Sequence, residues 1–251
     1  MAKGKIKINT PPPPTPTAPQ PSTKYSGVKH TIMIMSGKGG VGKSTFSVNL
    51  AVSLGKTRSV GIIDADINGP DDPMLLGVSK DKLHVENNRI IPLKTKFGVD
   101  LISMAFFLPD ENTAVIWRGA LRHKAIQQFL EDATWSGKDY VIIVVTPQEL
   151  ALLDARKAIN FAEQLHLKVL GIVENMSGFS CPHCGTVTDI FKTGGAEALA
   201  KELGIEFLGK IPIYPEIVQN ADTGVPAVVA SDDVRNIYEK VAEKVVRIIE
   251  K

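Results

Sequence analysis

The chain has 251 residues, room for one large α/β domain or two small ones, and its 43% hydrophobic and 22% charged residues are ordinary for a globular protein. The net charge of +2 gives no electrostatic reason to expect a nucleic-acid binder. No apolar run reaches about 18 residues, so no membrane contact is expected. The lysines near the N-terminus have no apolar stretch behind them, so no secretory leader is expected either. The expected compartment is the cytoplasm.

Residues 1–24 read as a tail. Pro11, Pro12, Pro13 and Pro14 continue into a Pro/Thr/Gln/Ser stretch with almost no large apolar side chain. Proline removes backbone donors and favours the extended polyproline conformation, and such a segment buries too little surface to offset its ordering entropy. It serves as a flexible linker or as a docking arm. Residues 25–251 are read as a single domain.

The folded part opens with an apolar run at 31–35, read as a buried strand, and a glycine cluster follows it. A helix is expected over 44–54, with Phe46, Leu50 and Leu54 on one face and Gly55 placed to end it. A second strand at 59–63 runs into Asp64 and Asp66. Strand, helix, strand in this order predicts a βαβ unit and a mostly parallel sheet with helices on both faces. Further strands are expected at 100–104, 140–145, 168–173 and 207–211. Helices are expected at 118–132, 150–165, 196–203 (ended by Gly204) and 233–251. The last carries an apolar stripe of Val234, Ile237, Val241, Val245 and Ile248, which suits packing on the sheet.

The glycine cluster carries the strongest chemical signal. Gly37, Gly42, Lys43 and Ser44 satisfy the phosphate-loop pattern, a glycine, four residues, then Gly-Lys-Ser. Glycines let successive backbone N–H groups point at phosphate oxygens, and the helix behind them adds its unpaired N–H groups and positive dipole end. The candidate nucleotide contacts are therefore Gly37, Lys38, Gly39, Gly40, Val41, Gly42, Lys43, Ser44 and Thr45. Lys43 should reach the β- and γ-phosphates, and the Ser44 hydroxyl should meet Mg²⁺. Asp64 and Asp66 end a strand at the sheet's carboxyl edge, where α/β proteins bind ligands. They read either as turn residues or as groups that hold Mg²⁺-bound water and orient an attacking water.

Lys38 extends the pattern. Lys-Gly-Gly-Val-Gly-Lys-Ser-Thr resembles the deviant Walker A group of ATPases, which includes the MinD/ParA proteins and nitrogenase iron protein. That resemblance implies a P-loop NTPase fold and a homodimer in which Lys38 reaches the partner's nucleotide. It also matches Asp66 to the aspartate assigned to hydrolysis, so Lys38, Lys43 and Asp66 are the expected catalytic residues.

Cys181 and Cys184 are the only cysteines, two residues apart in Cys-Pro-His-Cys-Gly. A disulfide framework is excluded, and this spacing points to metal or redox chemistry. Two thiols fall short of the four ligands a tetrahedral site takes. Either histidines complete the site, or two chains each give a pair, a cage suited to a [4Fe–4S] cluster or to zinc. A thioredoxin-like role is the competitor.

Glu174, Asn175, Met176, Ser177, Gly178 and Phe179 ahead of the cysteine turn resemble the Mrp/ApbC-type iron–sulfur cluster carriers. So do Ile116-Trp117-Arg118-Gly119, Thr146-Pro147-Gln148-Glu149 with Ala158-Ile159-Asn160-Phe161, and Gly209-Lys210-Ile211-Pro212. The resemblance covers nearly everything from residue 28. It implies that Cys181 and Cys184 bind a bridging cluster at a homodimer interface and that Asn175 contacts adenine. It further implies that ATP binding and hydrolysis gate transfer to apo-proteins.

One block departs from that pattern. In such proteins the strand matching 140–143 ends in a Walker B aspartate, followed by a switch II loop, a helix and another strand. Here Ile143 runs directly into Val144, Val145 and Thr146. Two adjacent parallel strands need a crossover of a dozen or more residues. The segment therefore reads as the start of one strand joined to the end of the next. Either the chain lacks switch II, which predicts nucleotide binding with impaired hydrolysis, or the natural protein carries a loop missing from this sequence.

Overall fold

The computed structural model describes residues 29–36, 38–66, 70–86, 89–107, 138–145, 149–164, 167–181 and 183–251. The proline-rich tail, Gly37, the helix expected at 118–132, the 116–119 block, residues 146–148 and Pro182 lie outside them.

The expected P-loop α/β architecture is present. Strand β1 (His30–Met35) leads into helix α1 (Lys43–Gly55), and β2 (Val60–Asp64) follows. Helix α2 (Asp72–Leu75) and a small hairpin of β3 (His84–Glu86) and β4 (Arg89–Ile91) come next. Then β5 (Leu93–Lys94) pairs antiparallel with β6 (Val99–Ser103), which ends in a 3-10 turn at Met104–Phe107. The chain continues with β7 (Lys138–Val145), α3 (Glu149–Gln164), β8 (Lys168–Ser180), β9 (Val187–Thr188) and α4 (Gly195–Leu203). It closes with β10 (Phe207–Ile213), α5 (Pro215–Asp222), α6 (Ala227–Ala230) and α7 (Asp232–Ile249).

The expected βαβ unit differs in one respect. β1 and β2 do not pair with each other among the described residues. β1 pairs in parallel with β7, giving a sheet ordered β1-β7-β8-β10, while β2 pairs in parallel with β6 in a separate sheet with β5. Helix α1 packs against β1, β2 and β6, so one helix covers both sheets. Met33 on β1 is 44% exposed, unusual for the strand that feeds a phosphate loop. A single strand at 138–145 touches β1 on one side and β8 on the other, where the sequence pattern asked for two strands and a crossover.

Helices cover both faces of the larger sheet. On one face Phe46 of α1 and Tyr238 of α7 meet ring to ring at 5.8 Å, within a cluster that includes Leu170, Leu208, Val241 and Val245. On the other, Ala155, Ala158, Ile159 and Ala162 of α3 and Ala196, Leu199 and Ala200 of α4 close over Ile172. Leu170 and Ile172 face opposite cores although two residues apart. The pairing of β7 with β8 shifts register between Val141 and Ile142, and one extra residue reverses which side chains face each layer. The C-terminal stripe packs as expected, with Val234, Val241 and Val245 buried and Ile237 and Ile248 half-buried.

Gly55 ends α1, but not by a left-handed turn, because the cap at Lys56 is right-handed. A Cβ on Gly55 would stand 3.4 Å from Val99 and 3.5 Å from the Gly98 carbonyl, so this glycine serves close packing. The Gly204 cap is left-handed, φ 67°, as a helix-ending glycine should be.

Candidate nucleotide and metal site

The P-loop turns sharply at Gly40 and Gly42, with φ 75° and 84°. Left-handed backbone is disfavoured for residues with a Cβ, so glycine belongs there. Ser36 Oγ donates to the Lys38 carbonyl at 2.7 Å and steadies the loop's start. Gly42 caps α1 without any side-chain hydrogen bond, and the first turn holds no acidic residue. The N–H groups at this helix end are thus left for an anion. Among the described residues nothing lies within 4 Å of a Cβ built on Gly39 or Gly40, so these two positions are not crowded. Lys38, Gly39 and Gly40 are exposed, Gly42, Lys43, Ser44 and Thr45 are half-buried, and Val41 is buried. Asn49 fixes the helix from behind. Its Nδ2 donates to the Thr45 carbonyl at 2.8 Å, and its Oδ1 accepts from the Val228 N–H at 3.0 Å.

Asn175 joins the loop. Its Nδ2 donates to the Val41 carbonyl at 2.9 Å. That nitrogen lies 2.5 Å from where a Cβ on Gly42 would stand, so Asn175 and Gly42 fit only because the glycine has no side chain.

Asp64 and Asp66 fall at the end of β2. Asp64 is 6% exposed; Ser103 Oγ donates to its Oδ2 at 2.8 Å and the Asp66 N–H to its Oδ1 at 3.2 Å. Burial outweighs those bonds and pushes the Asp64 pKa to about 6. Sequence reasoning missed Asp72, buried at the start of α2, whose pKa is raised well above the ordinary 3.8 by burial and then by the Asp64 charge. Burial, with the Asp66 charge second, raises Asp71 too. Its only sequence signal was the Asp71-Asp72-Pro73 string, which reads as a turn. Oxygen donors on Ser44 and Asp64 are the hard ligands Mg²⁺ takes, and a buried carboxylate that resists ionisation without a cation fits the same ion.

The two cysteines sit at the tip of a hairpin. β8 and β9 pair antiparallel, Phe179 with Thr188 and Ser180 with Val187. The Cys181 N–H donates to the Thr186 carbonyl at 3.0 Å, and the Gly185 N–H to the Cys181 carbonyl at 2.8 Å. Both thiols are free, Cys181 half-buried and Cys184 exposed. Cys184 Sγ and Thr186 Oγ1 lie 3.2 Å apart, and hydrogen bonds donated to the sulfur by the Thr186 hydroxyl and then its N–H hold the Cys184 pKa below the usual thiol value. Among the described residues no third His, Cys, Asp or Glu stands close enough to complete a metal site with them.

Comparisons with known proteins bear on the family and the fold. The family model described as "ParA: NUBPL iron-transfer P-loop NTPase" matches in two pieces, residues 27–144 and 137–246. The two pieces overlap on the segment that forms β7, which the family model therefore meets twice. The iron-sulfur cluster carrier protein of Methanocaldococcus jannaschii is 43% identical over 250 residues, covering 88% of this chain and 86% of the relative. A nucleotide-binding protein of Archaeoglobus fulgidus, solved in complex with ADP, superposes with a TM-score of 0.69 at 35% identity, over 80% of this chain and 88% of that one. The MinD cell division ATPase of Pyrococcus furiosus shares the fold, with a TM-score of 0.63 at 21% identity, over 88% of this chain and 100% of that one. The chain belongs to the ParA/NUBPL family of iron-transfer P-loop NTPases.

Proposed function

We propose that this protein is an ATP-binding iron–sulfur cluster carrier that works as a homodimer and passes a [4Fe–4S] cluster to apo-proteins. The observation that carries the reading is the pair of free thiols at the tip of the β8–β9 hairpin, with no third ligand beside them among the described residues. Half a tetrathiolate site becomes whole when a second copy brings the other half across a two-fold axis. Zinc accepts the same four thiolates and can replace the cluster in a purified sample.

The P-loop supplies the second half of the reading. Lys43, the backbone of residues 37–42 and the open end of α1 would hold the phosphates, and Asn175 would contact the adenine. Ser44 and Asp64 hold Mg²⁺, Thr45 completes the first turn, and Lys38 reaches the partner's nucleotide. Mg²⁺ when bound draws charge from the phosphate oxygens. Asp66 orients the attacking water. A chain that truly lacks the Walker B aspartate and switch II binds nucleotide with impaired hydrolysis, whereas one that carries the missing loop couples hydrolysis to transfer. The work is placed in the cytoplasm, where thiols stay reduced.

A MinD-like positioning role uses the same loop but has no use for Cys181 and Cys184. It needs an exposed apolar helix, and the stripe of α7 is spent on the core. No helix among the described residues is long and apolar enough to cross a membrane. Anaerobic reconstitution with iron and sulfide tests the proposal. The expected result is a visible cluster band with bound iron and sulfide that Cys181→Ser abolishes. A protein that takes up neither, or one indifferent to Cys181→Ser, is not a carrier.

A further inference from the structure

Glu174 is fully buried in β8 and has no assigned role. Its carboxylate is satisfied without a cation. Ser177 Oγ donates to it from the same strand, and the Gly194 and Ala196 N–H groups donate from the start of α4 at 3.0 and 2.9 Å. Charge-assisted bonds to a helix N-terminus are the strong kind, so this carboxylate is a fixed point. Between Glu174 and Ser177 lie Asn175, bonded to the Val41 carbonyl of the P-loop, and Met176, which holds a left-handed φ of 57°. A methionine rarely adopts that conformation unless its neighbours impose it. Here the bridge from Glu174 to Ser177 closes over it.

The same strand continues to the thiols. Gly178 has φ 81°, and a Cβ there would stand 3.2 Å from Val187, so the hairpin packs tightly on this turn. Phe179 and Ser180 then pair with β9, and Cys181 follows. The Asn175 bond to Val41, the Glu174–Ser177 bridge over the irregular backbone of 176–178, and the Phe179 and Ser180 pairing with β9 thus follow one another along β8 from the P-loop to Cys181.

We infer that Glu174 is a positioning residue that couples the two sites: by holding Ser177 and α4 it sets residues 175–178, so that nucleotide in the P-loop and the setting of the Cys181/Cys184 turn change together. This rests on reading the P-loop as the nucleotide site and the thiols as the cluster site. Coupling of this kind is reciprocal, so a metal on the thiols changes nucleotide affinity by the same factor.

The test uses the full-length, reduced, metal-free protein and reads the rate at which its thiols react with an aromatic disulfide reagent, with and without saturating Mg-ADP. In the unsubstituted protein nucleotide changes the rate by about fivefold or more, the lower end of ordinary coupling. Ser177→Ala brings that ratio to near one while ADP still binds, and Ser177→Thr, which keeps the hydroxyl, restores it. Glu174→Gln, which retains one acceptor oxygen, gives an intermediate ratio. A purely structural role would lower stability in each variant and leave the ratio alone. A rate indifferent to nucleotide in the unsubstituted protein, or a ratio unchanged by Ser177→Ala, overturns the inference. The assay needs no cluster, so a protein that fails to bind iron but shows nucleotide-sensitive thiols would refute the carrier reading and leave this coupling standing.

Discussion

Asp64→Asn isolates a strained buried charge in the candidate site. Asp64 is 6% exposed, and burial lifts its pKa from 3.8 to about 6 despite the bonds from Ser103 and Asp66. At about 1.4 kcal/mol per pH unit, keeping this carboxylate ionised at neutral pH costs the fold about 3 kcal/mol. The sign follows from proton linkage. The folded state binds the proton more tightly than the unfolded one, so this group's stabilising contribution is complete below pH 3.8 and is lost as pH rises towards 6. Asparagine has the same shape and no charge. Its Oδ1 accepts from the Asp66 N–H, and its Nδ2 donates to Ser103 Oγ. Without nucleotide or Mg²⁺ the variant should be more stable than the parent by about 1–3 kcal/mol at pH 8, with the difference gone near pH 4. Urea unfolding of both proteins across that range reads the difference directly. A gap that does not change with pH, or a variant less stable at pH 8, refutes the reasoning. The same substitution should weaken the Mg²⁺ dependence of nucleotide binding, because the penalty stored in the free protein is what a cation relieves.

Three further substitutions test other parts of the account. Lys43→Ala removes a charged donor to the phosphates and should weaken ADP binding about 10- to 100-fold by calorimetry; unchanged affinity would deny the loop its role. Lys38→Ala should bind ADP within about threefold of the parent yet lose nucleotide-dependent dimerisation in sedimentation velocity, about one charged contact per site; a variant that still dimerises rejects the cross-dimer lysine. Phe46→Ala empties a fully buried site against Tyr238 and should cost about 3–5 kcal/mol in chemical unfolding. A loss below about 1 kcal/mol would mean the core is not where α1 and α7 meet.

Local pattern carried much of the fold. The spacing of Phe46, Leu50 and Leu54 marked α1, the stripe from Val234 to Ile248 marked α7, and the glycine loop lay between a strand and a helix as its motif demands. The second half of β8 was not legible. Asn175, Met176, Ser177 and Gly178 do not read as strand, and two of them hold left-handed backbone that only the surrounding fold enforces. Asp72 was missed for a similar reason: its burial comes from α2 packing against α1 and α5, a long-range event that a turn-like string does not announce. The cysteine pair was plain in sequence, while the hairpin that presents it, and its tie through β8 to the P-loop, are tertiary facts.

The joined strand at 138–145 was legible as a departure from the family, and the structure gives it a physical form. β1 and β2 each have one described strand partner, in separate sheets beneath one helix. The family model matches 137–144 in both of its pieces. Both facts agree with a chain in which an interior strand and its crossover are missing. An intact mass of 27.1 kDa would show that the natural chain truly lacks switch II, and a larger one that a loop belongs there.

Native mass spectrometry of the anaerobically reconstituted protein addresses the central claim directly. The account predicts two chains carrying one [4Fe–4S] cluster between them, with the Cys181→Ser protein appearing as cluster-free chains. A cluster held by a single chain, or a dimer that keeps its iron without Cys181, would contradict it.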